Sequence, residues 1–554
     1  MKKVDFFSGR KKLIIPALAL ILFSAGFYFV KDNYFEIARS IDLFGQIYKE
    51  ISYNYVDEIS PEEFMKAGIR GMLASLDPYT VYLDEKNKGD IDLLTNGKYG
   101  GIGVSIGLRN DKVTILELMD GYAAQRQGVR IGDVILSVDD KEITKDNFER
   151  ISTFVKGEPG TQVELKVLRD DGKDTVKFNL VREEIIVKSL LYAGFYPESS
   201  NNAYLKLSSF SRTAGDEIKK ALKDLRTQKP INSVILDLRG NPGGLLDVAV
   251  DICNKFISKG SLIVSTRGRD TTQVKYYYAN QEPMLGSAKI IIMINDGTAS
   301  ASEIVAGAMQ DHDRAVILGT KSFGKGLVQT ITPLLYNTSL KITTAKYYTP
   351  SGRCIQKIDY WQKNDVIAKQ SGISNAMYKT DNKRKVYSAG GITPDTTVED
   401  ESDSNILHFL QAKGAFFTFA NHFVKENDKN KFESVKDDKL FSEFHNFIKE
   451  TNEQYKSESL KKVEQLIASA KNNNSDKEAL EDLEKLRKHY EKTSQNELNK
   501  DKTELIKEIR TEIAARYYGS EGRIRKSLDY DKQIQISLKI LNNNSAYEKL
   551  LKNN

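Results

Sequence analysis

The run Ile290-Ile291-Ile292-Met293-Ile294 has no polar face, so it reads as a strand buried in a core. With Val234-Ile235-Leu236 and the helical segments between them, it makes residues from about 186 to 400 an α/β unit. The rest of the chain has other textures. Ile37, Ile41, Phe44, Ile47, Tyr48 and Ile51 recur at helical spacing, Ser60-Pro61-Glu62-Glu63 is a capped helix start, and Asp77-Pro78 ends that stretch. From Asn96 to about Glu184, glycines and alternating β-branched residues predict a strand-rich module. Residues 401–554 carry 28 basic and 27 acidic residues, roughly 36% against 29% for the whole chain, which predicts solvated helices broken at the Asn runs 472–474 and 542–544. At 554 residues the chain is several times a domain of ~100–200. The expectation is a multidomain α/β protein: 1–31 an export signal or membrane anchor, 32–95 N-terminal helices, 96–185 the β-rich module, 186–400 the α/β core, and 401–554 a charged helical region.

Lys2, Lys3, Arg10, Lys11 and Lys12 precede an uncharged, almost entirely apolar stretch from Leu13 to Val30. Its 18 residues exceed the ~7–15 of a cleaved signal core and fall inside the ~17–25 of a spanning helix. A retained anchor is expected, with Ser24-Ala25-Gly26 as the alternative cleavage site. Either way the chain after Lys31 lies on the periplasmic side of the cytoplasmic membrane, anchored or released. A net charge of +6, from 82 basic and 76 acidic residues, gives no support to a nucleic-acid partner. Cys253, Cys354 and five scattered histidines form neither a disulfide framework nor a zinc spacing, so no metal or other cofactor is expected.

Three segments carry chemistry. Gly101-Ile102-Gly103-Val104 is a glycine-flanked loop before a strand, able to aim consecutive N–H groups at a carboxylate. In Asn295-Asp296-Gly297-Thr298-Ala299-Ser300-Ala301-Ser302-Glu303-Ile304 the buried strand empties through a glycine turn into a helix. A hydroxyl there is either a nucleophile facing the helix-end N–H groups or an N-cap, and Thr298, Ser300 and Ser302 all qualify. His312, flanked by Asp311 and Asp313, is excluded as the base: it lies about 18 Å along the same helix from Ser300, at ~1.5 Å per residue. Further on, Thr320-Lys321-Ser322-Phe323-Gly324-Lys325-Gly326-Leu327-Val328-Gln329 sets a lysine between two glycines, where the backbone passes close to another element and shelters the amine. A desolvated lysine loses its proton more easily, as a serine–lysine dyad requires. Gln329 is placed to orient it.

Ala123 to Val138 resembles the central signature of PDZ domains, with Asp146 to Val155 as the groove's helical wall. With Leu76-Asp77-Pro78-Tyr79-Thr80, Leu236-Asp237-Leu238-Arg239-Gly240-Asn241-Pro242-Gly243-Gly244-Leu245-Leu246, the Ser300 segment and Phe323-Gly324-Lys325-Gly326, the chain from about 35 to 400 resembles the carboxyl-terminal processing (tail-specific) peptidases. The resemblance implies a crotonase-like α/β serine peptidase core, Ser300 as nucleophile, Lys325 as general base and Gln329 as its orienting partner. It also implies an oxyanion hole from the N–H of Ala301 and of Gly243 or Gly244, and capture of substrate C-termini at Gly101, Ile102, Gly103 and Val104. Expected partners are proteins or peptides with a free C-terminus, the membrane through Leu13 to Val30 if uncleaved, and a second copy or an adaptor through residues 401–554. The alternatives are a PDZ binding scaffold with an inactive peptidase domain and a crotonase-type acyl-transfer enzyme, which would need a coenzyme A pocket.

Overall fold

The computed structural model describes residues 33–84, 97–109, 111–169, 174–358, 360, 375–388, 390–399, 404–451, 456–472 and 477–552. Leu13 to Val30 lies outside them, and among the described residues no helix is long and apolar enough to cross a membrane. The chain divides into two compact units, one ending at Tyr82 and one beginning at Leu83. The first contains α1 (Asn33–Asn54) and α2 (Pro61–Ala74). Ser60 caps α2 by accepting the Glu63 N–H, Pro61 occupies its first turn, and Tyr48 of α1 stacks on Phe64 at 5.5 Å. Ile37, Ile41, Phe44 and Ile47 have the expected helical spacing but stand exposed on α1.

In the second unit the β-rich region builds the sheet β2 (Val104–Arg109), β3 (Lys112–Leu118), β4 (Val134–Val138), β5 (Gln162–Arg169) and β6 (Asp174–Val181), paired in that order and antiparallel throughout. Beside it β1 (Lys98–Gly101) pairs with β7 (Glu183–Ile186). Val163, Leu165 and Val167 alternate with more exposed neighbours and turn inward onto Val113, Ile115 and Ile135, with the short helix α3 (Ile151–Val155) closing the core.

The α/β core is a six-stranded sheet in the order β8 (Leu190–Phe195), β9 (Asn202–Leu207), β10 (Ser233–Asp237), β12 (Lys289–Ile294), β13 (Val316–Gly319), β16 (Thr396–Thr397). Only the β8–β9 pair is antiparallel. Because side chains alternate along a strand, Ile290, Ile292 and Ile294 meet α4 (Ala214–Gln228), α5 (Leu246–Cys253) and α6 (Ala301–Asp311) on one face. Ile291 and Met293 turn to the other face, where α10 (Lys532–Asn542) and α11 (Asn544–Leu551) cover them with Ile534, Leu538, Leu541 and Tyr547. The end of the chain is therefore the third layer of the core. A second, antiparallel sheet pairs β11 (Leu262–Gly268) with β15 (Ser339–Tyr348) and β15 with β14 (Leu327–Pro333).

The remaining helices, chiefly α7 (Ala415–Glu426), α8 (Asp437–Glu450) and α9 (Lys502–Ser527), share a core of Phe416, Phe419, Phe444, Ile509 and Ile513. Gly519, at φ 67° and ψ −164°, breaks α9. Past that break Arg523 Nη1 lies 3.4 Å from Glu117 on β3, and Arg525 Nη2 lies 2.5 Å from Glu198 beyond β8.

Candidate active site

The site grows from the end of β12. Thr298 fixes the turn there: its Oγ1 accepts the Asn295 N–H at 2.9 Å and donates to Leu238 O at 2.8 Å. Ser302 donates its hydroxyl to Asn241 O at 3.0 Å, and Thr298 and Ser302 are both 0% exposed. Ser300 is the residue of the three that is only half-buried. It is held at φ 54° and ψ −116°, a conformation that costs a residue with a side chain about 1–3 kcal/mol and persists only where the surroundings impose it. Glu303 Oε2 accepts the Ser300 N–H at 2.9 Å, and buried Tyr347 donates its hydroxyl to Ser300 O at 3.2 Å.

Glu303 also ties this turn to the lysine segment. Its Oε1 accepts the Ser322 hydroxyl at 2.6 Å and the Gly324 N–H at 2.8 Å, and its Oε2 accepts the Lys325 N–H at 2.9 Å. Burial raises the Glu303 pKa above its ordinary value, while these bonds and the one from Ser300 pull it down. Three of the four partners are backbone N–H groups, which can only donate, so the ring fits the ionised carboxylate.

Lys325 is half-buried between glycines that leave no room for a side chain. A Cβ on Gly324, at φ 89°, would stand 2.7 Å from Lys357 Cβ, and one on Gly326 would stand 2.9 Å from Gln356 N. Gln356 Oε1 accepts the Gly326 N–H at 2.6 Å, and the Lys357 N–H donates to Gly324 O at 2.9 Å. Gln329 follows at a β-bulge, where the register of β14 against β15 shifts, and its Nε2 donates to Thr343 Oγ1 at 3.3 Å. Ser300 and Lys325 are joined through the Glu303 carboxylate, which accepts the backbone N–H of each.

The loop after β10 closes the other side. A Cβ on Gly243 would stand 2.9 Å from Ser300 Cβ and 2.8 Å from Ala301 N. Asn241 knots the loop: its Oδ1 accepts the Gly243 N–H, its Nδ2 donates to Leu207 O, both at 2.9 Å, and its carbonyl accepts the Ala299 N–H at 3.0 Å. The N–H groups of Gly244 and Ala301 have no hydrogen-bond partner among the described residues.

The β-rich region has its own cleft of about 280 Å³, lined by Ile102, Val104, Ile106, Phe148, Ile151 and Val155. Gly101 ends β1 opposite Glu183. The N–H groups of Ile102 and Gly103 have no hydrogen-bond partner among the described residues, and Gly103, at φ 79°, would bring a Cβ to 2.4 Å from Tyr122 Cβ.

Four family profiles match the chain: the activating protease CtpB N-terminal domain over residues 30–87, the PDZ domain over 100–180, peptidase family S41 over 201–367, and the probable PDZ-protease C-terminal helical domain over 406–541. A carboxy-terminal-processing protease of Bartonella bacilliformis is 38% identical over 331 residues, 59% of this chain and 74% of the relative. The chain belongs to peptidase family S41. Probable CtpA-like serine proteases of Staphylococcus aureus are 35% identical over 315 residues, 56% of this S41 chain and 61% of theirs. Among solved structures, the photosystem II D1 C-terminal processing protease matches 65% of the chain and 93% of its own at 25% identity and a TM-score of 0.34. The PDZ domain of a Vibrio cholerae carboxy-terminal protease, solved in complex with a peptide, matches 16% of the chain and 97% of its own at 24% identity and a TM-score of 0.15.

In this S41 chain His312 caps the far end of α6, with Nδ1 2.8 Å from Asp381 Oδ2 and Nε2 2.7 Å from Leu262 O. Its ring joins elements rather than serving Ser300. His312→Ala is expected to keep kcat on a quenched peptide within about threefold while lowering the thermal midpoint, through two lost bonds worth roughly 0.5–1.5 kcal/mol each; a loss as deep as that of Lys325→Ala would make histidine the base. Cys253 and Cys354 are free thiols. Sequence reasoning missed Glu303 and Asn241. The spacing Ser300-x-x-Glu303 is that of a capping box, a signal that pointed to Glu303.

Proposed function

We propose that this S41 peptidase is an exported serine endopeptidase that captures the C-terminal ends of proteins in its PDZ cleft and cleaves upstream through a Ser300–Lys325 dyad. The observation that carries the reading is the Glu303 carboxylate, which fixes the backbones of both residues against one another. The neutral Lys325 amine takes the Ser300 proton as Oγ attacks the scissile carbonyl, and the resulting ammonium protonates the leaving amine. A water, deprotonated by the same amine, then hydrolyses the acyl-enzyme. The oxyanion falls to the N–H groups of Ala301 and Gly244, since Gly243 already spends its N–H on Asn241. Gln329 Oε1 is the acceptor that orients the amine. Export rests on the cationic N-terminus and the apolar stretch Leu13 to Val30.

Ile102 and Gly103 offer unspent N–H groups at the end of an apolar cleft, which suits a terminal carboxylate followed inward by apolar side chains. A protein tail with a free α-carboxylate is therefore expected to be cleaved faster than the same tail amidated. Gly103→Pro removes one donor, worth about 1.5–3 kcal/mol to a charged acceptor, so capture weakens roughly tenfold to a hundredfold. Mass spectrometry of digests of both tails, with a short peptide at high concentration as the reference, measures this. Equal rates for free and amidated tails in the intact enzyme would leave the PDZ region as a gate rather than a receptor.

A further inference from the structure

The oxyanion loop is gripped from behind by the last part of the chain. Arg239, five residues before Gly244, holds Asp237 through Nε to Oδ1 at 3.0 Å and Nη2 to Oδ2 at 2.7 Å. The same Nη2 donates to Asp531 Oδ2 at 2.7 Å, and Nη1 reaches Gln533 Oε1 at 3.4 Å. Asp531 is the N-cap of α10, its Oδ1 accepting the Ile534 N–H at 3.1 Å. Lys206 Nζ lies 3.1 Å from Asp237 Oδ2, which also accepts the Tyr204 hydroxyl at 2.7 Å. Two cations thus face two carboxylates in a cluster where Asp237 is wholly buried and the side chains of Arg239 and Asp531 are each 15% exposed. Burial alone would raise the Asp237 carboxyl, but attraction to Arg239 and Lys206 and the hydrogen bonds of Arg239 and Tyr204 hold it well below the usual carboxylate range.

We propose that Asp531 is a positioning residue for the oxyanion hole, pinning Arg239 and with it the start of the loop that carries Gly244. This rests on the Ser300–Lys325 reading above. Without the Asp531 charge, one carboxylate faces two cations, and Arg239 is pulled wholly onto Asp237. Asp237 Oδ1 also accepts the Arg239 backbone N–H at 2.9 Å, so the pull falls on the backbone at the point where the loop leaves β10. An oxyanion donor acts on the transition state more than on bound substrate, so its displacement lowers kcat and leaves KM nearly unchanged.

Asp531→Asn in the full chain tests this, because the asparagine oxygen still caps α10 while its NH₂ replaces the oxygen that faced Arg239, so the charge and the bond to Arg239 are lost together and the cap is kept. The expected result is a kcat about tenfold lower on both a quenched peptide and a tailed protein, an unchanged KM for the tail, an unmoved pH profile, and partial recovery in Asp531→Glu. Asp529→Asn is the control. It removes the charge facing Lys526 (3.0 Å) and leaves one oxygen where Lys526 and the Tyr196 hydroxyl (3.2 Å) had two, without touching Arg239, and should leave kcat as it was. Wild-type kcat in folded Asp531→Asn, a loss that follows the unfolded fraction as temperature is varied, or an equal loss in Asp529→Asn would each overturn the proposal. Full activity in Lys325→Ala would instead overturn the dyad, whatever Asp531 does.

Discussion

Ser300→Ala and Lys325→Ala each give a folded protein whose cleavage of a quenched peptide falls by roughly 10⁴-fold or more. The fold is expected to survive because the backbone bonds at these positions remain: the Ser300 and Lys325 N–H groups still reach Glu303, and Tyr347 still reaches the Ser300 carbonyl. Residues that act as one unit do not add, so the double variant should be no worse than either single one. If Lys325 is the base, as proposed, only its neutral amine accepts the serine proton, so the expected rate climbs with pH until the amine is deprotonated, and that climb is expected to disappear in Lys325→Ala. Circular dichroism and the thermal midpoint check folding; peptide hydrolysis and mass spectrometry of a tailed protein check activity. Retention of a tenth or more of wild-type activity in Lys325→Ala would remove the dyad.

Glu303→Gln is expected to lower kcat by roughly 100-fold and stability by about 1–6 kcal/mol, according to which donors its amide strands. Each oxygen of the carboxylate takes two donors, Ser322 and Gly324 on Oε1, Ser300 and Lys325 on Oε2. A glutamine amide has one oxygen: turned one way, its NH₂ group strands the Ser300 and Lys325 N–H groups, and turned the other way it strands the Gly324 N–H while the Ser322 hydroxyl can rotate to accept from it, at about 1–3 kcal/mol for each stranded donor. If the pair left unserved is Ser300 and Lys325, the strained serine loses its restraint as well. Activity per folded molecule is the quantity to measure, from kcat corrected by the thermal unfolding curve. Wild-type kcat in folded Glu303→Gln would mean that the strain at Ser300 is held from elsewhere.

What could be read ahead of the structure was short-range. The Ile290–Ile294 strand followed from its lack of a polar face, the helix at Ala301 from a run of small residues after a glycine, and the tight passage at Lys325 from the glycines on either side of it. The rest depended on partners far away in the chain. Glu303 looks local, a capping-box residue, yet three of its four donors come from residues 322–325. Arg239 and Asp531 are 292 residues apart, a pairing that no pattern in either segment announces. On α1 the spacing identified a helical face but not whether anything covers it. In the C-terminal region the average charge density pointed to solvated helices and hid the stripe Ile534, Leu538 and Leu541, which lies on the central sheet.

That third layer has a consequence for how the enzyme is made. Translation runs from the N-terminus, and Tyr204, Ile235, Ile291, Met293, Val316 and Leu318 are synthesised long before Ile534, Leu538, Leu541 and Tyr547, the residues that cover them. Until the last two helices emerge, one face of the central sheet is bare, Arg239 lacks its second carboxylate, and Arg523 and Arg525 have not yet reached Glu117 and Glu198. A chain still leaving the ribosome holds the serine and the lysine but not the frame around them. A segment remote from the reacting atoms thus supplies the outer layer of the central sheet, and every strand it covers apart from the short β16 is made more than 200 residues before it.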